Sequence, residues 1–457
     1  MRMPGRESGP QRSRGADMLQ VIGIVLFVLV IGASIALHEL GHLIPAKAFG
    51  VRVSEYMIGF GPTLWSKVKG ETRYGLKAIP LGGYIRMIGM LPPAKGDAEG
   101  TARRMSTGRF AVMVADARRA SVEEIEPGDE NRLFYKLPVR KRIVIMLGGP
   151  TMNLVLAFVL FAIMLVGIGL PQPTLTVSRV VPCTPSVEQP LATPLPSGEC
   201  PTGSLIGPAQ AAGLKVGDTI TAINSTPVDS WDAMTEWIRA RGDQSATVTV
   251  DRAGTTIDLI IDVATVERPE YDANGVATGA TVTSGFIGVS PGVEYVSAGW
   301  SSVPSYMWEI TVASVKGLIS LPIRLYELVK DTLIGGQERA IDGPVSVVGV
   351  SRIGGDIAAM DQPIVAKAAT FLGLAASLNL FLFLFNLIPV LPLDGGHVAG
   401  ALYEGTRRRM AKMFGRPDPG PVDVARLMPV AYVVAGILLA MGVIVIWADL
   451  VRPISLG

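Results

Sequence analysis

In the stretch SIALHELGHLI, residues 34–44, His38 and His42 stand one helical turn apart and Glu39 follows the first of them. Imidazoles at i and i+4 share one helix face and can hold a metal, while the glutamate is placed to act as a general base; this is the pattern of a zinc-hydrolase helix. Such chemistry consumes water. Yet Leu19–Leu37 carries no charged residue and is long enough to cross a bilayer. The metal-binding spacing therefore stands at the end of a segment that water avoids.

A zinc site of this kind needs a third protein ligand. The chain has only three histidines and two cysteines, so a Cys-rich zinc module is excluded and the ligand must be His397 or a carboxylate. Both options sit in NLIPVLPLDGGHV, residues 386–398, at the end of another apolar run. An acidic residue at membrane depth is costly and marks a functional site. Asp394 is the better ligand, because it lies where prolines break the helix and where Gly395-Gly396 lets main chain approach closely. His397 then reads as a neighbour of the site or an interfacial group. His38, His42 and Asp394 would hold Zn²⁺ with one position left for water, and Glu39 would be the base.

These residues must be positioned by membrane helices. Of 457 residues, 49% are hydrophobic and 18% charged, with a mean hydropathy of +0.41. Four uncharged segments reach spanning length: Leu19–Leu37, Ile143–Leu170, Ala368–Leu393 and Leu427–Ala448. A net charge of +2 gives no reason to expect a nucleic-acid partner. Lys136, Arg140, Lys141 and Arg142 precede the second span and Arg407–Arg409, Lys412 and Arg416 follow the third, whereas Arg179 is alone after the second until Lys215. Residues 51–142 and 404–426 are thus expected in the cytoplasm and 171–366 outside. The first and third spans run the same way, so His38, His42 and Asp394 meet at similar depth near the cytoplasmic face. Against this, the tail placed outside carries Arg2, Arg6, Arg12 and Arg14. Residues 1–17 are polar and patternless and end before Met18, which favours a start at Met18.

Further stretches match the same picture: IGFGPTLW at 58–65, AIPLGGYIRM at 78–87, GGPTMNLVLA at 148–157 and NLIPVLPLDGG at 386–396. Together with HELGH and LDG, in this order, they resemble the site-2 protease family of intramembrane zinc metalloproteases. The closer likeness is to the bacterial sigma-factor-regulating branch with an extracytoplasmic PDZ domain. The resemblance covers about residues 19–450. It implies His38, His42 and Asp394 as zinc ligands and Glu39 as catalytic base. It also implies substrates that are single-pass membrane proteins, such as anti-sigma factors, already trimmed outside by another protease.

The expected fold is an α-helical integral membrane protein of four spans, with an inserted extracytoplasmic α+β PDZ domain and a membrane-associated cytoplasmic β-hairpin. It divides into a polar tail at 1–18, a first membrane half at 19–170, the PDZ domain at 174–265, a linker with amphipathic helices at 266–366 and a second membrane half at 367–450. GPAQAAGLKVGDTITAIN at 207–224, SWDAMTEWIRA at 230–240 and SATVTVDR at 245–252 resemble one PDZ domain, and no second copy follows. Its helix would flank a groove for a peptide ligand. Before it, Cys183 and Cys200 lie in a Pro-rich exposed loop and are expected to form a disulfide. Residues 306–333 read as one or two amphipathic helices on the outer lipid face, interrupted at Pro322.

Tyr74–Met87 reads as a hairpin turned at Gly82-Gly83 and dipping toward the site. Gly82, Gly83 and Tyr84 would then hold substrate along an exposed strand edge, although an ordinary cytoplasmic hairpin has the same pattern. Asn386 either positions substrate main chain, stabilises the oxyanion or binds a neighbouring helix. Asn153 reads as a helix-packing residue. Two other functions compete: a membrane PDZ adaptor with a structural metal, and a metal transporter. Glu39 speaks against both, since neither needs a base beside its ligands.

Overall fold

The computed structural model describes residues 14–92, 125–184, 205–271, 277–330 and 343–454. Cys200, most of the Pro-rich loop, most of the loop at 91–138 and residues 331–333 lie outside them. The chain forms two compact units, Met1–Ile168 with Gly299–Gly457, and Gly169–Ala298.

Among the described residues, four helices of the first unit are long and apolar enough to cross a membrane: Gly15–Ala48, Val139–Ile168, Ile364–Asn386 and Ala425–Val451. They lie in helices α1 (Arg14–Ala48), α2 (Val139–Ala162, continued by a π turn to Ile168), α6 (Ile364–Asn386) and α8 (Met428–Val451). Helix α1 begins inside the stretch assigned to the polar tail. Helix α6 stops at Asn386, before the expected span end at Leu393. Pro389 and Pro392 deny the helix backbone donors there, so the chain turns through 387–393 and restarts as α7 (Asp394–Met413).

Helices α1 and α2 cross on glycine. A Cβ at Gly41 would lie 2.3 Å from the Gly148 carbonyl oxygen, and one at Gly148 would lie 2.0 Å from the Gly41 oxygen. Small residues at a membrane-helix contact let backbones approach closely, which here draws α2 against the HELGH turn.

Between α1 and α2, β1 (Val53–Lys69) and β2 (Thr72–Met87) pair antiparallel around a turn at Gly70-Glu71. Gly82-Gly83 is therefore no hairpin turn. Met57 pairs with Gly75 on one side and Tyr84 on the other, while Ser66 pairs with Gly75. Pairings of this kind make a four-stranded sheet in the order 83–87, 53–58, 72–76, 63–69, and Gly82, at φ +119°, bends β2 from one side of 53–58 to the other. Segment 83–87 is an edge of that sheet. Phe60, Leu64, Trp65 and Val68 expose apolar surface at its far end.

The second unit has a six-stranded sheet, its main path running β9 (Val289–Val296), β3 (Leu170–Val180), β4 (Thr219–Ile223), β5 (Ser245–Arg252), β6 (Thr255–Asp262). A separate pair, β7 (Ala264–Tyr271) and β8 (Ala277–Phe286), completes it. Helix α3 (Trp231–Arg239), capped by the Ser230 side chain, buries Met234 and Ile238 in a core with Ile220, Val248, Val250 and Ile261. The alternation of buried Ala246, Val248 and Val250 is that of a half-covered strand. Sequence reading ended this unit at 265, but β9 pairs with β3, so closing the sheet requires residues up to Val296.

Helix α4 (Ser302–Lys330) runs through Pro322 unbroken, contrary to the expected interruption. Helix α5 (Val347–Ala359) carries the Ser346 cap and packs Gly354 and Gly355 on α1. Asp449 of α8 accepts hydrogen bonds from the Ser346 backbone N–H and hydroxyl, which fixes the start of α5.

Candidate metal centre

One turn of α1 presents His38 and His42 on the same face, and the first residue of α7 presents Asp394 to them. His38 Nε2 and His42 Nε2 are 3.3 Å apart, and each is 3.3 Å from Asp394 Oδ2. Tetrahedral donors about 2.0–2.1 Å from one metal are separated by about 3.3–3.4 Å, so the three atoms have the spacing that a shared zinc ion requires. Asp394 Oδ2 is buried and has no hydrogen-bond partner among the described residues. Two imidazoles and one carboxylate, with a fourth position open, form the donor set of catalytic zinc.

Each donor is aimed by its surroundings. His42 Nδ1 lies 2.7 Å from the Ile145 carbonyl oxygen of α2; a carbonyl only accepts, so Nδ1 carries the proton and Nε2 keeps its lone pair for the cluster. Gly149 makes room for that ring, since a Cβ there would lie 2.2 Å from His42 Nε2. Asp394 is brought in by the turn that ends α6. A Cβ at Gly395 would lie 2.4 Å from the Leu387 and Ile388 carbonyl oxygens, so the glycine permits the turn to fold back.

Glu39 is 9% exposed and sits against the edge strand: a Cβ on Gly83 would lie 2.9 Å from its Cγ. The Ile85 backbone N–H is directed at its carboxylate. Among the described residues, neither Glu39 nor Asp394 forms an ion pair with Lys or Arg. Two carboxylates and two imidazoles in an apolar helix bundle carry negative charge that only a cation, or protons, can compensate.

Of the other residues singled out in the sequence, Gly83 touches Glu39, and Tyr84 next to it donates to Glu55 Oε2 at 3.0 Å. Gly82 is the bend itself. Asn386 is the last residue of α6, partly buried, at the start of the turn leading to Asp394. His397 is on α7 and lines a small cavity with Arg142 and Glu404, outside the donor triangle. Cys183 is buried in the second unit and makes an isolated bridge with Ile206; Cys200 lies outside the described residues. Asn153 was missed. Its side chain faces His38, not a neighbouring helix backbone, with its amide nitrogen 3.2 Å from His38 Nδ1. Only its position four residues after Gly149, on the face that meets α1, hinted at this.

Apolar helices that carry a His-His-Asp donor triangle and a glutamate beside it define a membrane metallopeptidase. Residues 26–416 match peptidase family M50, and the chain belongs to that family, the site-2 proteases. It is 35% identical over 447 residues to the zinc metalloprotease Rip1 of Mycobacterium bovis, with 96% of this chain and 100% of the relative covered. It is 24% identical over 483 residues to the zinc metalloprotease RasP of Shouchella clausii, covering 94% and 99%. Identity to the metalloprotease MmpA of Caulobacter vibrioides is 27% over 406 residues, covering 85% and 88%.

Proposed function

We propose that the chain is a zinc endopeptidase that cuts single-pass membrane proteins within the bilayer, after a first cleavage outside, in regulated intramembrane proteolysis. The observation that carries this reading is the triangle of 3.3 Å separations among His38, His42 and Asp394, with Glu39 on the next residue of the same helix. When bound there, zinc supplies Lewis acidity toward water and a scissile carbonyl at neutral pH. Glu39 takes the proton of the attacking water at its carboxylate and returns it to the leaving amine nitrogen. Its position in the bundle holds that proton transfer away from bulk solvent.

Substrate must be presented as extended chain, because a helix hides its peptide bonds. Segment 83–87 pairs with no further strand among the described residues and lies beside Glu39, and a strand added there would gain main-chain hydrogen bonds. Gly82 and Gly83 keep that edge free of side chains, Tyr84 borders it, and Asn386 orients the substrate main chain or the developing oxyanion. Anti-sigma factors are the substrate class that the resemblance of the motifs implies. The basic residues Arg140–Arg142 and Arg407–Arg409 support a cytoplasmic placement of the site and an outer placement of Gly169–Ala298, read as a PDZ domain that sorts substrates by the bulk of their ectodomain.

The test is cleavage of candidate single-pass proteins by the purified enzyme, with chelator and with zinc restored. Activity that survives full removal of metal rejects the proposal. Size sorting predicts that a folded domain fused to the outer stump slows cleavage. The disulfide proposal, Cys183 with Cys200, predicts no free thiol by mass spectrometry of unreduced protein.

A further inference from the structure

His42 owes its orientation to a backbone carbonyl. His38 has a different neighbour, and the chemistry of that neighbour is constrained. For His38 to offer the Nε2 lone pair to a metal as a neutral imidazole, its proton must reside on Nδ1. The group facing Nδ1 must then accept a hydrogen bond. That group is the carboxamide of Asn153, 3.2 Å away and 1% exposed.

The nitrogen end of the carboxamide, which has no lone pair to give, faces Nδ1, while Oδ1 is buried without a partner among the described residues. A half-turn about Cβ–Cγ exchanges the two ends in nearly the same volume. It places the oxygen where His38 Nδ1–H can donate to it. In the orientation with nitrogen toward Nδ1, by contrast, the imidazole proton sits on Nε2 and points at Asp394 Oδ2, which closes the triangle with a hydrogen bond where the metal would be. The two amide orientations thus correspond to two tautomers of His38, and only one of them leaves all three donors free.

We infer that Asn153 is a positioning residue for the metal: its carboxamide oxygen accepts from His38 Nδ1–H and fixes the tautomer that presents Nε2. This rests on the His38, His42, Asp394 reading of the site. Partners of metal-bound histidines typically contribute about 10- to 100-fold in metal affinity. Asn379 provides a matched control. It is also fully buried in the bundle, yet its amide donates to Ser34 Oγ at 3.0 Å and to the Ala375 carbonyl at 2.9 Å, touching no donor of the triangle.

The experiment uses the full chain in detergent, with zinc affinity measured by competition with a chelator and folding followed by thermal unfolding of the metal-free protein. Asn153→Leu should weaken zinc binding about 10- to 100-fold. Asn153→Asp, which keeps an acceptor and loses the donor, should stay within about fivefold of the wild type, below the loss expected for Asn153→Leu. Asn379→Leu should lower the unfolding temperature and leave zinc affinity unchanged. A folded Asn153→Leu that binds zinc like the wild type, or a loss shared equally with Asn379→Leu, overturns the inference. Should Asn153→Leu not fold, Asn153→Asp decides alone: retained affinity supports the acceptor role, and its loss rejects it. A wild-type chain that binds no zinc would refute the metal centre itself, which is a separate result.

Discussion

Asp394 and Glu404 are two carboxylates on one helix, α7, and their surroundings have opposite character. Glu404 is 1% exposed and fully answered: it pairs with Arg142 of α2 and Arg408 one turn on, and it accepts from the Val422 backbone N–H at 2.9 Å. Asp394 is 19% exposed at its side chain and faces two imidazoles and no Lys or Arg among the described residues. One carboxylate brings its cations from the sequence. The other is arranged to receive one. The difference teaches that burial of charge does not by itself mark a site; a missing counter-charge beside convergent donors does.

The strongest way to break the contrast is to keep the donors and remove the chemistry. Glu39→Gln should retain zinc by metal analysis while cleavage falls by about 10²- to 10⁴-fold, the range expected for a lost general base. Asp394→Asn should empty the site, because a neutral amide is a poor ligand beside two imidazoles, whereas Glu404→Gln should leave zinc content near that of the wild type. Full occupancy in Asp394→Asn would move the third ligand elsewhere.

Arg142→Leu addresses the satisfied carboxylate. Leaving a buried carboxylate with no partner costs about 3–5 kcal/mol, and because Arg408 and the Val422 N–H still reach Glu404 the loss in Arg142→Leu, read by thermal unfolding, should fall below that; the double variant Arg142→Leu/Glu404→Leu should recover part of it. Equal destabilisation by single and double variants would show that the pair is not the reason. Gly149→Ala sharpens the comparison from the imidazole side, since the added methyl meets His42 Nε2. Overpacking of this kind costs about 1–3 kcal/mol, and part should appear as weaker zinc binding.

The smallest effect belongs to a third carboxylate, in the other unit. The Arg252 guanidinium, hydrogen-bonded to both Asp218 oxygens at 2.7 Å, holds the Asp218 carboxyl below its usual range. A lowered folded pKa means that the stabilisation is complete above the ordinary carboxylate range and disappears as pH falls through the lowered value. Fluorescence of Trp231 and Trp237 should therefore report unfolding on the acid side, and Asp218→Asn should flatten that dependence. Because the pair is partly solvated, the shift should be modest.

Local chemistry was legible where the relevant distance is set by one helix or one short break. His38 and His42 follow from 3.6 residues per turn, and the four apolar runs follow from length alone. Asp394 was legible because an acid among Leu and Pro has few other uses. Pro322 was misread because a proline inside a helix removes one hydrogen bond and crowds the carbonyl four residues back, a cost that does not by itself end a 29-residue helix. Gly82-Gly83 was misread because a bend and a turn share the same residues and differ only in which strands pair afterwards.

By itself the sequence determined the donor types, the glutamate beside them and the apolar helices that carry them, since each depends on residues close together in the chain. Tertiary structure decided what depends on the rotation of one helix against another. Only the glycine contact of α1 with α2 turns Asn153 toward His38 and the Ile145 carbonyl toward His42. Among the described residues, the crossover of β2 sets the edge segment 83–87 against Glu39. Helix periodicity fixes which residues share a face, but the contacts made by that face are chosen by packing, and packing joins residues more than 100 positions apart.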